Sequence, residues 1–207
     1  MSEQLQGISR RRLAQGAAWA APTIVLATAA PALAASDMPA CPTCLNAGVG
    51  GLFTAQAIAA LGTANVSGTS GFNVDSTGCD LSLFVPTYTT AGLGGTMTWS
   101  DGSTTAMSAV ALGGGTLGQI SAISGNYTTN NATFPDGFYG GTLGKHPTKL
   151  CFDVQMFFML IGMIPMPACN YRICYDICGV VGVGVIGFGT GTVNWTGTLC
   201  NGTVTPL

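Results

Sequence analysis

The sequence predicts an all-β fold: a disulfide-bonded β-sandwich of Greek-key or immunoglobulin-like type. A single domain, residues 35–207, follows a cleavable leader, residues 1–34. Three observations carry this reading. Beyond residue 34, short stretches of period-two alternation are separated by Gly, Pro and Asp turns, the pattern of antiparallel strands. Charged residues make up 7% of the chain, against about 25% in typical domains. The surface must therefore be polar through Thr, Ser, Asn and backbone amides, a composition that does not favour helices. All eight cysteines, Cys41, Cys44, Cys79, Cys151, Cys169, Cys174, Cys178 and Cys200, lie in the domain. An even number in an exported chain reads as a framework of up to four bridges. A β-helix or an up-and-down barrel is the alternative architecture.

The leader is justified first. Residues 9–36, SRRRLAQGAAWAAPTIVLATAAPALAAS, have a cationic head, an alanine-rich middle and a small-residue end, the three parts of a secretory signal. As a packed helix the stretch would have no polar face beyond Arg12, and Pro22 would interrupt it. As a membrane span it falls short of about 20 mainly apolar residues. Ala32 and Ala34 fit the −3 and −1 positions, placing the cut between Ala34 and Ala35. Ser9-Arg10-Arg11-Arg12-Leu13 resembles the twin-arginine export motif; Leu13 stands where that family usually has Phe, and Ala14 and Gln15 replace its usual Leu and Lys. The whole leader is similar to those of secreted proteins from high-GC Gram-positive bacteria. The resemblance covers the first 35 residues or so. It implies the twin-arginine machinery and a signal peptidase as partners, transport in the folded state, and a secreted or cell-envelope destination.

Along the domain, residues 53–66 read as a strand pair about Gly62, with a short helix as the alternative. Residues 79–89 alternate Leu81, Leu83 and Val85 against Ser82 and Phe84, which predicts a strand with an edge or bulge at Pro86. Asp101-Gly102 is a favoured two-residue hairpin turn, and Pro135-Asp136-Gly137 marks another turn. The glycine clusters at 92–95, 113–115 and 140–141 read as loops or bulges. Residues 150–158 place Leu150, Phe152, Val154, Met156 and Phe158 on one face. Residues 170–178 do the same with Tyr171, Ile173, Tyr175 and Ile177. An antiparallel hairpin with Cys151 opposite Cys174 also sets Asp153 opposite Arg172, so one register satisfies two constraints and predicts a Cys151–Cys174 bridge. In residues 179–193 Gly182-Val183-Gly184 and Gly187 match a dinucleotide-loop spacing. No βαβ context or downstream acid follows, so an apolar strand with a flat glycine face is the better reading. Residues 190–199 alternate Val193, Trp195, Gly197 and Leu199.

The chemistry is sparse. After the leader only Lys145, Lys149 and Arg172 are basic, against seven Asp and no Glu. That balance argues against nucleic acid and anionic membranes as partners, and the mature form is not expected to span a membrane. Cys41-Pro42-Thr43-Cys44 is a C-x-x-C without the strand-then-helix context of a redox site, so it reads as an anchor for the N-terminal segment. Met156, Met159, Met163 and Met166 are soft ligands suited to Cu(I), but they sit in an apolar run where Met fills gaps. His146, in GKHPTK, reads as solvated on an exposed loop, and no nucleophile stands beside a base. The Asp residues are scattered singly, but two Asp far apart in sequence can serve a glycosidase, which leaves a secreted hydrolase as a second alternative. No cofactor and no catalytic residue is expected. The expected role is structural, adhesive or ligand-binding, with an extracytoplasmic copper or thiol-redox module as the alternative.

Overall fold

The computed structural model describes residues 40–80 and 82–207; the export-signal residues Arg10, Arg11, Leu13, Ala32 and Ala34 lie outside them, as does Leu81. Among the described residues there are twelve strands and no helix. Eight of the strands are long: β2 (Leu52–Ala60), β3 (Thr63–Asp75), β4 (Thr87–Trp99), β5 (Thr104–Thr116), β6 (Ile120–Thr133), β8 (Pro147–Phe157), β11 (Cys169–Gly187) and β12 (Thr190–Pro206). The short ones are β1 (Asn46–Ala47), β7 (Gly137–Gly141), β9 (Met159–Leu160) and β10 (Ile164–Pro165).

β8 and β11 adopt the register that two constraints in the sequence demand, Cys151 opposite Cys174 and Asp153 opposite Arg172. The first pair is bridged. The second is a two-pronged ion pair, Nε to Oδ1 at 2.7 Å and Nη2 to Oδ2 at 2.9 Å. Behind this outer face the alternate residues Phe152, Val154, Ile173 and Tyr175 are fully buried, as period-two alternation requires.

Around this pair the sheet runs β3-β2-β12-β11-β8-β4-β5-β6, all antiparallel, and β6 pairs back onto β3. The eight long strands thus form a closed ring. β8-β4-β5-β6 is a Greek key: three hairpin-linked strands, with the fourth returning beside the first. The ring is packed solid and sandwich-like, its interior filled by three tiers of aromatic side chains. Trp99, Phe134, Tyr139 and Trp195 close one end. In the middle Phe72 stacks on Phe152 from the opposite side, centroids 5.1 Å apart, with Tyr127 and Tyr175 against them. Tyr88, Phe84 and Phe158 fill the other end. Rings of this size contribute more than their area alone, by about 0.5–1.5 kcal/mol per pair.

Four disulfides secure the ring: Cys41–Cys169, Cys44–Cys79, Cys151–Cys174 and Cys178–Cys200. Three of them converge on β11, tying it to the N-terminal segment, to β8 and to β12. Such a framework belongs in an oxidising, extracytoplasmic environment.

Several local expectations change. Among the described residues of 79–86 no regular strand forms; Cys79 is held to Cys44, Leu83 is exposed, and Phe84 makes an isolated bridge, to Leu160, before β4 starts at Thr87. The covalent anchor and Pro86 override the alternation there. The β4–β5 hairpin exists, but Asp101-Gly102 is not its whole loop. The Trp99 N–H donates to the Ser103 carbonyl and the Gly102 N–H to the Trp99 carbonyl, with Gly102 at φ 80°. This is a three-residue loop with a glycine bulge. Of the glycine clusters, 92–95 is a bulge in β4 but 113–115 lies within β5. Residues 53–66 form a hairpin about Leu61-Gly62.

Candidate functional site

A broad concavity lies on the outer face of the ring, where strands β12, β2, β3, β6 and β5 run side by side. Alternation sends the apolar residues of these strands inward and leaves short polar side chains outside. Register then lines them up across the sheet. Asn194, Gln56, Ser67, Thr128 and Ser108 are successive cross-strand partners, and two residues along lies a second row, Thr196, Thr54, Thr69 and Asn126. The repeat is therefore about 4.8 Å across the strands and about 6.7 Å along them. Neighbours within the rows are already oriented by one another. The Gln56 amide donates to Asn194 Oδ1 at 2.9 Å; the hydroxyls of Thr54 and Thr69 lie 2.9 Å apart, and those of Ser108 and Thr128 2.7 Å.

Between the rows run two adjoining open grooves of about 370 and 310 Å³ that share Ser67, Gly68 and Thr69. Gly68 sets their floor. Its neighbour on β6, Tyr127, lies inside the ring and passes beneath it to donate a hydrogen bond to the Thr54 carbonyl at 2.8 Å. A Cβ at Gly68 would fall 2.1 Å from that carbonyl and 2.3 Å from the Tyr127 hydroxyl. The site is thus a flat, uncharged array of hydroxyls and amides on a rigid floor. It can exchange hydrogen bonds with a neutral ligand in both directions, since every side chain in it both donates and accepts.

The ionisable groups lie elsewhere. Asp101 is held down to about 2, chiefly by the Ser103 hydroxyl, then by the Ser103 N–H and by Lys145. Lys145 departs from the exposed loop that the sequence suggests. Its side chain is only 7% exposed; its Nζ reaches Asp101 at 3.0 Å and Ser103 Oγ at 2.9 Å and lies over the rings of Trp99 and Phe134. The lysine caps the aromatic tier at that end of the ring. His146 Nδ1 is 2.9 Å from the Gly144 carbonyl. Four tyrosine hydroxyls donate to backbone carbonyls: Tyr127 to Thr54, Tyr171 to Pro42 and Tyr175 to Asn73 across distant segments, and Tyr139 to Pro135 within one turn. Burial raises all four, Tyr171 and Tyr175 to about 12.

Other residues singled out in the sequence do not converge. Cys41 and Cys44 are bridged to separate elements, so the C-x-x-C is not a dithiol pair. Met159 and Met166 line one cleft with Phe157 and Phe158, but Met156 is wholly buried and Met163 is 70% exposed at a turn, so the four thioethers are not gathered at one site. Among the described residues no group of three His, Cys, Asp or Glu is arranged to hold a metal ion, and no helix is long and apolar enough to cross a membrane. The polar rows escape sequence reasoning because Thr or Asn on the outer face of any one strand is unremarkable; only register assembles them. Compared with known proteins, the chain matches no family model, no curated protein and no solved structure.

Proposed function

We propose that this is an exported β-sandwich of the cell envelope or extracellular space, a ligand-binding and structural protein whose binding face is the uncharged groove of β12, β2, β3, β6 and β5. The ligand class that matches it is a neutral, polyhydroxylated surface such as an uncharged glycan. One observation carries the reading: nine outward-facing hydroxyl and amide side chains stand in two register-fixed rows with no ionisable group among them. Strand spacing presents donors and acceptors at intervals of about 5–7 Å, a spacing comparable to the rise per sugar unit of an extended glycan chain. The twin-arginine-like leader and the disulfide framework support the location. Because nothing in the rows titrates near neutrality, binding is constant from pH 4 to 9 and insensitive to salt.

The test is sedimentation of the purified protein with cellulose and with chitin particles, beside an anionic polysaccharide. The proposal expects retention on at least one neutral polymer. It also expects about tenfold weaker binding after Q56A/N194A, the change that loss of one or two net hydrogen bonds produces. No retention on either neutral polymer, or full retention by the double variant, refutes the groove as a glycan site.

A further inference from the structure

The two hairpin turns at one end of the ring share an unusual construction. In each, two residues link paired strands: Leu61-Gly62 between Ala60 and Thr63, and Phe188-Gly189 between Gly187 and Thr190. All four residues have positive φ, 55° and 82° in the first turn and 53° and 69° in the second. That geometry belongs to the turn for which Asn-Gly and Asp-Gly are the favoured pairs. A large L side chain at the first position is strained, and here both are apolar and stand in water: Leu61 is 92% exposed and Phe188 100%. Strain and exposure each oppose stability, and they coincide twice at one spot. Such coincidence points to function rather than folding.

The two turns form one platform. The Gly62 N–H donates to the Gly189 carbonyl at 3.0 Å, and the Gly189 N–H donates to the Asp136 carboxylate at 2.8 Å. Behind Phe188 the apolar surface continues along Val185 and its cross-strand partner Phe138, 57% and 65% exposed. We propose that this tip inserts Leu61 and Phe188 into an uncharged or zwitterionic lipid surface. The choice of occupant rests on shape and charge. The feature is a pair of projections, suited to a deformable apolar layer. Among the described residues no ion pair or cation–ring contact joins a cation to either turn: Lys145 is committed to Asp101, Arg172 to Asp153, and Lys149 stands on β8 opposite Asp176. The charge at the tip is Asp136, which would repel anionic headgroups and leaves neutral ones as the match. Thr63 and Thr190, which follow the two turns, donate their hydroxyl protons to the Ala60 and Gly187 carbonyls and leave acceptor lone pairs at headgroup depth. This inference does not depend on the glycan reading.

The experiment uses the full chain with its disulfides intact and phosphatidylcholine vesicles. Phe188→Trp provides a local reporter, its difference emission against the parent reading position 188 alone. Insertion predicts a blue shift on adding vesicles, unchanged at high salt, and its loss when Leu61→Asn is added. In flotation with the same vesicles, L61N/F188N partitions at least tenfold less than the parent, while its melting temperature is equal or higher, because Asn suits both turns. No shift at position 188, or equal flotation of the double variant, overturns the proposal. So does a lower melting temperature of L61N/F188N, which would give the two side chains a folding role. A concentration-dependent dimer abolished by L61N/F188N, without vesicle binding, would assign the tip to a second copy instead.

Discussion

Asp101 shows how a turn residue acquires a pH signature. Its carboxylate accepts from the Ser103 N–H and hydroxyl at 2.9 and 2.6 Å while also facing Lys145. All three favour the ionised form, so its folded value of about 2 lies below the unfolded one of 3.8. A lowered carboxylate contributes stability that is complete above the unfolded value and disappears as pH falls through the folded value. D101N should therefore lower the melting temperature at pH 7, and the gap to the parent should shrink below pH 4 and close only below pH 2, as thermal melts across that range would show. The tyrosines act at the other extreme. Tyr171 and Tyr175 are raised to about 12 by burial, so their contribution is complete below pH 10 and lost as pH climbs through 12. Phenolate absorbance should consequently lag behind that of free tyrosine during alkaline titration, and Y171F/Y175F should shrink the lagging fraction. Gly68 is a steric counterpart. G68A presses a methyl group onto the Thr54 carbonyl and the Tyr127 hydroxyl, and overpacking of this kind costs about 1–3 kcal/mol. Denaturant titration would read the loss.

Among the elements, the β8–β11 pair was fully legible in the sequence, and the reason is redundancy. Apolar alternation fixes which face is buried, the cysteine pair fixes register, and Asp153 with Arg172 fixes it again. The 79–86 stretch shows the opposite case: its alternation is as regular, but the Cys44–Cys79 bridge and Pro86 hold the chain out of the ladder, and neither the bridge nor its partner can be read locally. The candidate groove was illegible for a third reason. Its residues are drawn from five strands, and Ser67 meets Thr128 only because β3 pairs with β6, a closure that no local pattern encodes. The redundancy in β8–β11 has a measurable side. C151S/C174S should lose about 3 kcal/mol, the loop entropy of a bridge closing roughly two dozen residues, and still fold, because the apolar faces and the ion pair retain the register. C41S/C169S, which opens a loop of 128 residues, should lose more, about 5 kcal/mol on the same reckoning. Urea denaturation of both variants beside the parent gives the comparison.

For the whole molecule, the closed ring leaves few free edges. β3 and β6 satisfy each other, and among the described residues the exceptions are short: β1 beside β3, β7 beside β11, and the β9–β10 pair. Ring closure protects the long strands from edge-to-edge association. Intact mass of the protein expressed with its leader, before and after reduction, checks the covalent framework and the proposed export together. Four bridges remove eight hydrogens, and the proposed processing after Ala34 would place Ala35 first. Free thiols in the native protein would contradict the framework, and a retained leader would contradict cleavage at that bond.

The convergence of three disulfides on β11 has a mechanical consequence. Suppose the folded chain is pulled at Ala40 and Leu207. Tension enters at Cys41, crosses its bridge to Cys169, runs along β11 to Cys178, crosses to Cys200 and leaves through the last residues. Everything from 42 to 168 and from 179 to 199 lies off the load path. At about 3.5 Å per extended residue, the oxidised protein can therefore lengthen to only about 60–70 Å, whereas the reduced chain could reach roughly 550–600 Å. Single-molecule extension should show a short, stiff link that becomes a long tether on reduction. Under tension the ring is bypassed by its own cross-links, so the groove strands β2, β3, β5 and β6 carry no load and can keep their shape while the molecule is pulled.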